Sequence, residues 1–152
     1  MRVLVQRAKE SSVTVDGKIV GSIDHGLVLL VGFTYGDSEK DIDYLVKKVL
    51  NLRIFDDDNG VMNKSVLDTE GSILSISQFT LYADTSGGNR PSYIKSLKAD
   101  EATKLYDLFN QKLKEYIKVE TGIFQADMKV NILNDGPVTI LLESDDKYVK
   151  ER

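Results

Sequence analysis

Apolar and polar residues alternate along much of this chain with a period of two, the mark of strands that bury one face. Residues 2–8 (RVLVQRA) predict a first strand. In SSVTVDGKIVGSI, Val13 and Val15 precede Asp16-Gly17, and Ile19 and Val20 follow it, which predicts a tight hairpin. Residues 27–33 (LVLLVGF) are apolar without a break and of strand length, so both faces should be buried. The period then changes. Ser38 followed by Asp41 resembles a capping box, and Ile42, Leu45, Val46, Val49 and Leu50 form one stripe, predicting a helix over about residues 38–52. A second stripe, Ala102, Leu105, Phe109, Tyr116 and Ile117, predicts a helix over about residues 99–118, with Gly122 just past its end.

Between the helices, residues 72–84 (SILSISQFTLYAD) read as a strand and residues 85–97 (TSGGNRPSYIKSL) as a loop rich in glycine and hydroxyls. Near the C-terminus Met128, Val130 and Ile132 alternate with Lys129 and Asn131, and Val138, Ile140 and Leu142 resume the alternation after NDGPVT. Together these elements predict one α+β domain over residues 1–152: a mostly antiparallel sheet, layered or barrel-like, with two amphipathic helices packed on it. The end of the chain, from about residue 144 to 152 (SDDKYVKER), reads as a charged, solvated tail.

Composition narrows the function classes. With 41% hydrophobic and 29% charged residues, a chain of 152 can bury a sizeable core without staples. The absence of cysteine excludes disulfides and thiolate metal sites. The apolar run of MRVLVQRAKE is too short for a signal peptide and no stretch is long enough to span a membrane, so a cytoplasmic location is expected. A net charge of −4 and a pI near 5.0 argue against gripping long nucleic acid through its phosphates, yet allow contact with a few nucleotides at an end. A nucleophile–histidine triad would have to use His25, the one histidine, which SIDHGLV places in a turn. The acidic run DDDNG lacks EF-hand spacing and a closing glutamate, so Asn59-Gly60 predicts a hairpin turn and no metal site is expected.

Pro137 is out of place between two good strands, because proline lacks the amide that a central strand donates. Two readings stand. Asn134, Asp135 and Gly136 can form a hairpin turn with Pro137 opening the outgoing strand, or the Gly136-Pro137 bond can be cis and aim backbone groups at a ligand. In SILSISQFTLYA, alternation puts Leu74, Ile76, Gln78 and Thr80 on one face and Ile73, Ser75, Ser77, Phe79 and Leu81 on the other. Gln78 and Thr80 are then either a strand end meeting water or a carboxamide and hydroxyl presented to a pocket. Arg90, in a glycine-rich loop, is either a solvated charge or a clamp for phosphate or carboxylate.

SQFTLYAD (77–84), GNRPS (88–92), TGIFQADM (121–128) and NDGPVT (134–139) occur together and in this order, with VQRAKESSVTVDG near the start and RIFDDDNGVMN between. In these motifs, from Arg2 to about Leu142, the chain resembles the D-aminoacyl-tRNA deacylases. It departs from their pattern at Ile123, Gln125 and in its longer tail. The resemblance implies a cytoplasmic homodimer, needing no metal or organic cofactor, that hydrolyses the ester joining a D-amino acid, or mischarged glycine, to the 3′ end of tRNA. It implies a cis Gly136-Pro137 that enters the partner subunit's site, its carbonyls standing where an L side chain would have to go. Ser77, Gln78, Phe79 and Thr80 would form the catalytic stretch, with backbone amides around Phe79 and Thr80 holding the developing oxyanion. Phe124, Gln125, Ala126, Met128 and Arg90 would contact the substrate, Phe124 and Met128 at the adenosine, although core packing also accounts for those two. No neighbour of Thr80 in sequence could take its proton, which favours a positioning role over attack. A non-catalytic module for the tRNA 3′ end and a threonine-nucleophile esterase are the competing functions.

Overall fold

The computed structural model describes residues 1–146. Asp16 and Gly17, with φ of +50° and +77°, turn strand β1 (Arg2–Val15) onto β2 (Lys18–Gly32), giving the predicted hairpin with much longer arms. His25 lies inside β2 opposite Lys9, not in a turn. The polar run around it is strand after all, since Ile23 is buried while Ser22, Asp24 and His25 face solvent.

The remaining strands are β5 (Ser72–Ser77), β6 (Val119–Thr121) and β7 (Lys129–Glu143), in sheet order β6-β5-β2-β1-β7. The long ladders, β1 with β2 and β1 with β7, are antiparallel as predicted. β5 runs parallel to both β2 and β6 because helices cross over between them. Helix α1 (Glu39–Asn51), followed by the hairpin β3 (Phe55–Asp56) and β4 (Met62–Lys64), links β2 to β5; helix α2 (Ala99–Lys114) links β5 to β6. The β3–β4 turn falls at Asp57–Val61, with the Asp57 carboxylate accepting from the amides of Asn59 and Val61, so DDDNG is the predicted hairpin.

α1 matches its prediction: Ser38 is the N-cap, its amide donates to the Asp41 carboxylate at 2.9 Å, and the predicted stripe is buried. α2 ends earlier than predicted. Leu113 is its last buried residue; the amides of Tyr116 and Ile117 both fold back to the Leu113 carbonyl, and Tyr116, predicted inward, is exposed. Gly122 consequently follows β6 and caps no helix; a Cβ there would run into the Met128 sulfur, so glycine lets the 122–128 loop close.

One face of the sheet (Val3, Val5, Leu27, Leu29, Ile73) packs on Ile42, Leu45 and Val49 of α1 and on Phe109 and Leu113 of α2. Each such side chain contributes about 1.5–3 kcal/mol through burial. A smaller cluster (Ala8, Val13, Ile23, Val28, Leu74, Ile76, with Met128, Val130 and Ile132 against it) fills the other face. It exists because the sheet curls. β1 bends at Glu10, φ +39°, where its register against β7 slips, and Gly21 approaches the Thr121 carbonyl across the fold.

The charged tail begins later than predicted. Ser144 is fully buried; its amide donates to the Met1 carbonyl at 2.9 Å, and its hydroxyl accepts from the Met1 amine at 3.0 Å. Asp145 and Asp146 are exposed, and residues 147–152 lie outside the described residues.

Candidate active site

β5 stops at Ser77 because its partner runs out: the last pair of the ladder is Val31 with Ser77, one residue before β2 ends. The Gln78 amide still reaches the Val31 carbonyl at 2.8 Å, after which the chain winds into a 3-10 turn, Phe79–Tyr82. The strand predicted to continue to Asp84 is therefore half strand and half turn. Gly32 makes room for it, since a Cβ there would lie 2.9 Å from the Gln78 carbonyl oxygen and 3.1 Å from Leu81 Cβ. Winding also cancels the alternation. Ile76, Ser77, Gln78 and Phe79, predicted on opposite faces, all line one cavity of about 520 Å³.

The opposite wall is the 122–128 loop: Phe124, Gln125, Ala126 and Met128 line the same cavity. Val31 and Phe33 close a third side, and Ala99 and Ala102 of the first turn of α2 a fourth. Small residues on that turn leave the space open. None of the lining side chains is charged or titratable. Phe124 leans on Tyr106, ring centroids 5.9 Å apart, and the Tyr106 hydroxyl donates to the Ser75 carbonyl at 2.7 Å, tying the loop to β5. Burial raises the pKa of Tyr106 above the usual tyrosine value, so the donor keeps its proton.

Every carbonyl from Gln78 to Leu81 has a donor. Leu81 N reaches Gln78 O at 3.3 Å, Ser96 Oγ reaches Phe79 O at 2.9 Å, Ala83 N reaches Thr80 O at 3.0 Å, and Arg2 Nη1 reaches Leu81 O at 2.8 Å. The amides of Phe79 and Thr80 donate to no protein acceptor among the described residues, as the geometry of a first helical turn dictates. Gln78 Nε2 donates to Thr80 Oγ1. Thr80 itself does not line the cavity, and among the described residues no base hydrogen-bonds its hydroxyl. Phe79 is exposed and meets the edge of Tyr93 at a centroid distance of 5.0 Å.

The proline tip lies elsewhere. β7 is one strand throughout, not two strands joined by a hairpin turn: Gln6 pairs with Thr139 and Ala8 with Asn134, so residues 135–138 bulge out opposite Arg7 alone. A proline is harmless where the ladder is already interrupted. The Gly136-Pro137 bond is cis, Gly136 has φ of +130°, and both residues are exposed. Asn134 Oδ1 accepts from the Val138 amide at 3.2 Å, and the Thr139 hydroxyl accepts from both Asn134 Nδ2 and Gln6 Nε2. Underneath sits Arg7, buried, with Nε donating to the Asp135 carbonyl at 3.0 Å and Nη1 to the Ile54 carbonyl at 2.8 Å. Sequence reasoning did not single out Arg7; alternation placed it on a strand, but only the bulge gives it carbonyls to hold. No residue of 134–139 lines the 520 Å³ cavity of its own chain. The tip borders a second hollow, about 340 Å³, between Arg7, Lys9, His25, Asp56 and Asp135. Arg90, predicted near the substrate, is exposed in the 85–92 loop and lines neither cavity.

A hydroxyl and a carboxamide on an uncharged space, with a turn bearing free amide donors next to it, suit an electrophile that is already activated, such as an ester, better than a phosphoryl group. Comparison with known proteins agrees. Residues 4–143 match the family model described as D-Tyr-tRNA(Tyr) deacylase. The chain belongs to this family and is a hydrolase that acts on the ester bond of D-aminoacyl-tRNA. Among solved structures it is similar to a c-Myc DNA unwinding element binding protein, 39% identical, with a TM-score of 0.90 over 94% of this chain and 98% of that one. It is also similar to a probable eukaryotic D-amino acid tRNA deacylase, 18% identical, with a TM-score of 0.80 over 93% of this chain and 98% of the other, a likeness of fold alone. The α+β fold expected from the sequence is the fold of these neighbours. No helix among the described residues is long and apolar enough to cross a membrane.

Proposed function

We propose that this enzyme removes D-amino acids, and mischarged glycine, from the terminal adenosine of tRNA, and that it rejects L-aminoacyl-tRNA with backbone atoms of Gly136-Pro137. The observation that carries the reading is an uncharged cavity that brings Ser77, Gln78 and Phe79 against Phe124, Gln125, Ala126 and Met128. Phe124 and Met128 flank the adenine; base–aromatic contact is worth roughly 1–3 kcal/mol and suits an end shared by every tRNA. Water attacks the ester carbonyl carbon, and the oxyanion that forms accepts from the free amides of Phe79 and Thr80, each donor contributing about 2.7–4 kcal/mol. Collapse expels the ribose oxygen, and the neighbouring ribose hydroxyl assists the proton transfers that the uncharged wall cannot perform. Thr80, its hydroxyl held by Gln78, orients this stretch and does not attack.

The filter works between two copies of the chain. An exposed tip that does not line its own cavity, flanked on the edge strand β7 by exposed Leu133 and Leu141, fits an isologous dimer in which each tip completes the other subunit's site. Backbone carbonyls exclude an L side chain by occupying its place, so no particular D-residue need be recognised.

The test is release of labelled amino acid from matched D- and L-aminoacyl-tRNAs. Release of the D-form alone is expected; equal rates on both enantiomers would refute the filter. Mixing a chain slowed by a change at Thr80 with a chain made unselective by a change at Pro137 should give, in each heterodimer, one site with both full D-turnover and L-rejection, and failure to gain it would place the tip in its own chain's site.

A further inference from the structure

We propose that Arg2 is a positioning residue for deacylation, a strut that fixes the far end of the 3-10 turn carrying Phe79 and Thr80. The inference rests on the reading of the site given under Proposed function. That turn is anchored at its near end by the Gln78 amide on Val31 O, at 2.8 Å, and by the Ser96 hydroxyl on Phe79 O, at 2.9 Å. Past its far end the backbone pairs again only at Asp84 with Ser92, the neck of the exposed 85–92 loop, and no backbone amide reaches Leu81 O among the described residues. Arg2 supplies the hold there: Nη1 donates to Leu81 O at 2.8 Å, Nε donates to Glu143 Oε1 at 2.7 Å, and the guanidinium lies 4.6 Å from the centroid of the Tyr82 ring. Leu81 and Tyr82 belong to the turn, whereas Glu143 closes β7, so one planar group bolts the turn to the end of the sheet. Tyr82 is buried, and burial pushes its hydroxyl well above the usual tyrosine range, so the ring stays neutral under the cation.

Three contacts in three directions require the guanidinium fork; a lysine ammonium meets one or two of them. Losing the strut frees the turn to pivot about Gln78, and the Phe79 and Thr80 amides move with it. Substrate binding is left alone, because Arg2 lines neither cavity and the Phe124 wall is tied separately to β5 through Tyr106. The signature is thus a loss in kcat with little change in KM.

Steady-state deacylation of D-tyrosyl-tRNA, with melting temperatures alongside, should be compared for the wild type, Arg2→Ala, Arg2→Lys and Glu143→Gln. A misplacement on the scale of an ångström costs about a hundredfold, so Arg2→Ala should lower kcat by about ten- to a hundredfold and Arg2→Lys by less, with KM nearly constant. Glu143→Gln keeps the bond to Leu81 and should keep most of kcat. Millimolar methylguanidinium should restore part of the lost kcat in Arg2→Ala, and a fluorophenylalanine at position 79 should shift its fluorine resonance in both Arg2 variants but hardly in Glu143→Gln. Unchanged kcat in Arg2→Ala, an unmoved resonance, or equal losses in Arg2→Ala and Glu143→Gln that track melting temperature would each overturn the strut. Should Arg2→Ala not fold, Arg2→Lys and the resonance decide. A wild type inactive on D-aminoacyl-tRNA would instead overturn the functional reading, while the fluorine shift would still report on the strut.

Discussion

Replacing Arg7 by lysine tests whether the proline tip is held in place for selectivity. Arg7 spans two carbonyls, Asp135 O at 3.0 Å and Ile54 O at 2.8 Å, and its side chain stands 3.6 Å from the carboxylates of Asp56 and Asp135. Lysine keeps the charge but offers one nitrogen where Nε and Nη1 each hold a carbonyl, so it satisfies one of the two well. One buried, charge-assisted hydrogen bond is lost, a cost of about 1.5–3 kcal/mol. For a domain of this size each kcal/mol lowers Tm by about 2–4 °C, so Arg7→Lys should melt roughly 3–12 °C below the wild type. The functional effect follows from geometry. A tip that rejects L side chains by contact must stand still, and every tenfold of discrimination is about 1.4 kcal/mol of differential transition-state stability. Loosening the tip should therefore lower the D:L ratio of kcat/KM by about ten- to a hundredfold through faster L-deacylation, with the D rate little changed. Labelled, matched aminoacyl-tRNAs give the ratio, and thermal melts confirm that the variant is folded at the assay temperature. A D:L ratio equal to that of the wild type, in a protein whose Tm has fallen as expected, would refute the link between Arg7 and chirality.

Other outcomes follow from the same geometry. Thr80→Ser and Thr80→Ala should both retain measurable turnover, and mass spectrometry during turnover should find no acyl adduct; a trapped acyl-threonine would restore the nucleophile. Because no lining residue of the cavity is charged and the net charge is −4, affinity for tRNA should fall gently with salt, with a log–log slope far below that of proteins making many phosphate contacts. Asp84, at the neck of the 85–92 loop, accepts from the hydroxyl and amide of Ser86 and from Lys95, which hold its pKa at about 2 against an ordinary 3.8. A depressed folded pKa means that stability is present above 3.8 and lost as pH falls through about 2, so Asp84→Asn should weaken folding at pH 6, with the difference from wild type shrinking as pH falls through about 2 and vanishing below it.

Much of this was legible in the sequence, and the failures have physical reasons. α1 was readable because its cap and stripe are local, and the β1–β2 hairpin because Asp16-Gly17 tolerates positive φ. What periodicity could not reveal was where a partner ends. Nothing in SILSISQFTLYA marks the stop at Ser77, which is set by β2 finishing at Gly32. The same limit hid the continuity of β7, since NDGP has the composition of a turn and only pairing with β1 keeps the strand on course. For the site, motif resemblance brought Ser77, Gln78 and Phe79 together with Phe124, Gln125, Ala126 and Met128, as the cavity does. It also implied Arg90, which the structure carries on the exposed 85–92 loop and which lines neither cavity, and it did not single out Arg7 or Arg2, whose acceptors are backbone carbonyls and leave no mark on the sequence.

That last point joins the two halves of the proposed mechanism. The groups suggested to act on the substrate are themselves backbone: amides of Phe79 and Thr80 on one side, carbonyls of Gly136 and Pro137 on the other. Backbone cannot be tuned by exchanging its own side chain, only by fixing where the chain runs. Each of the two segments is an irregularity, a 3-10 turn after β5 and a bulge in β7, and so lacks the ladder that would hold it. Each has a buried or half-buried arginine from β1 on its carbonyls instead, Arg2 on Leu81 and Arg7 on Asp135. On the proposed mechanism, residues on one strand thereby set both the oxyanion donors of one subunit and the filter that the same subunit would offer its partner. Arg2 and Arg7 lie five positions apart on β1, an odd number, so the pleat would send them to opposite faces of the strand. An enzyme that must judge handedness without reading a side chain needs that rigidity in its main chain, and β1 supplies it at both places.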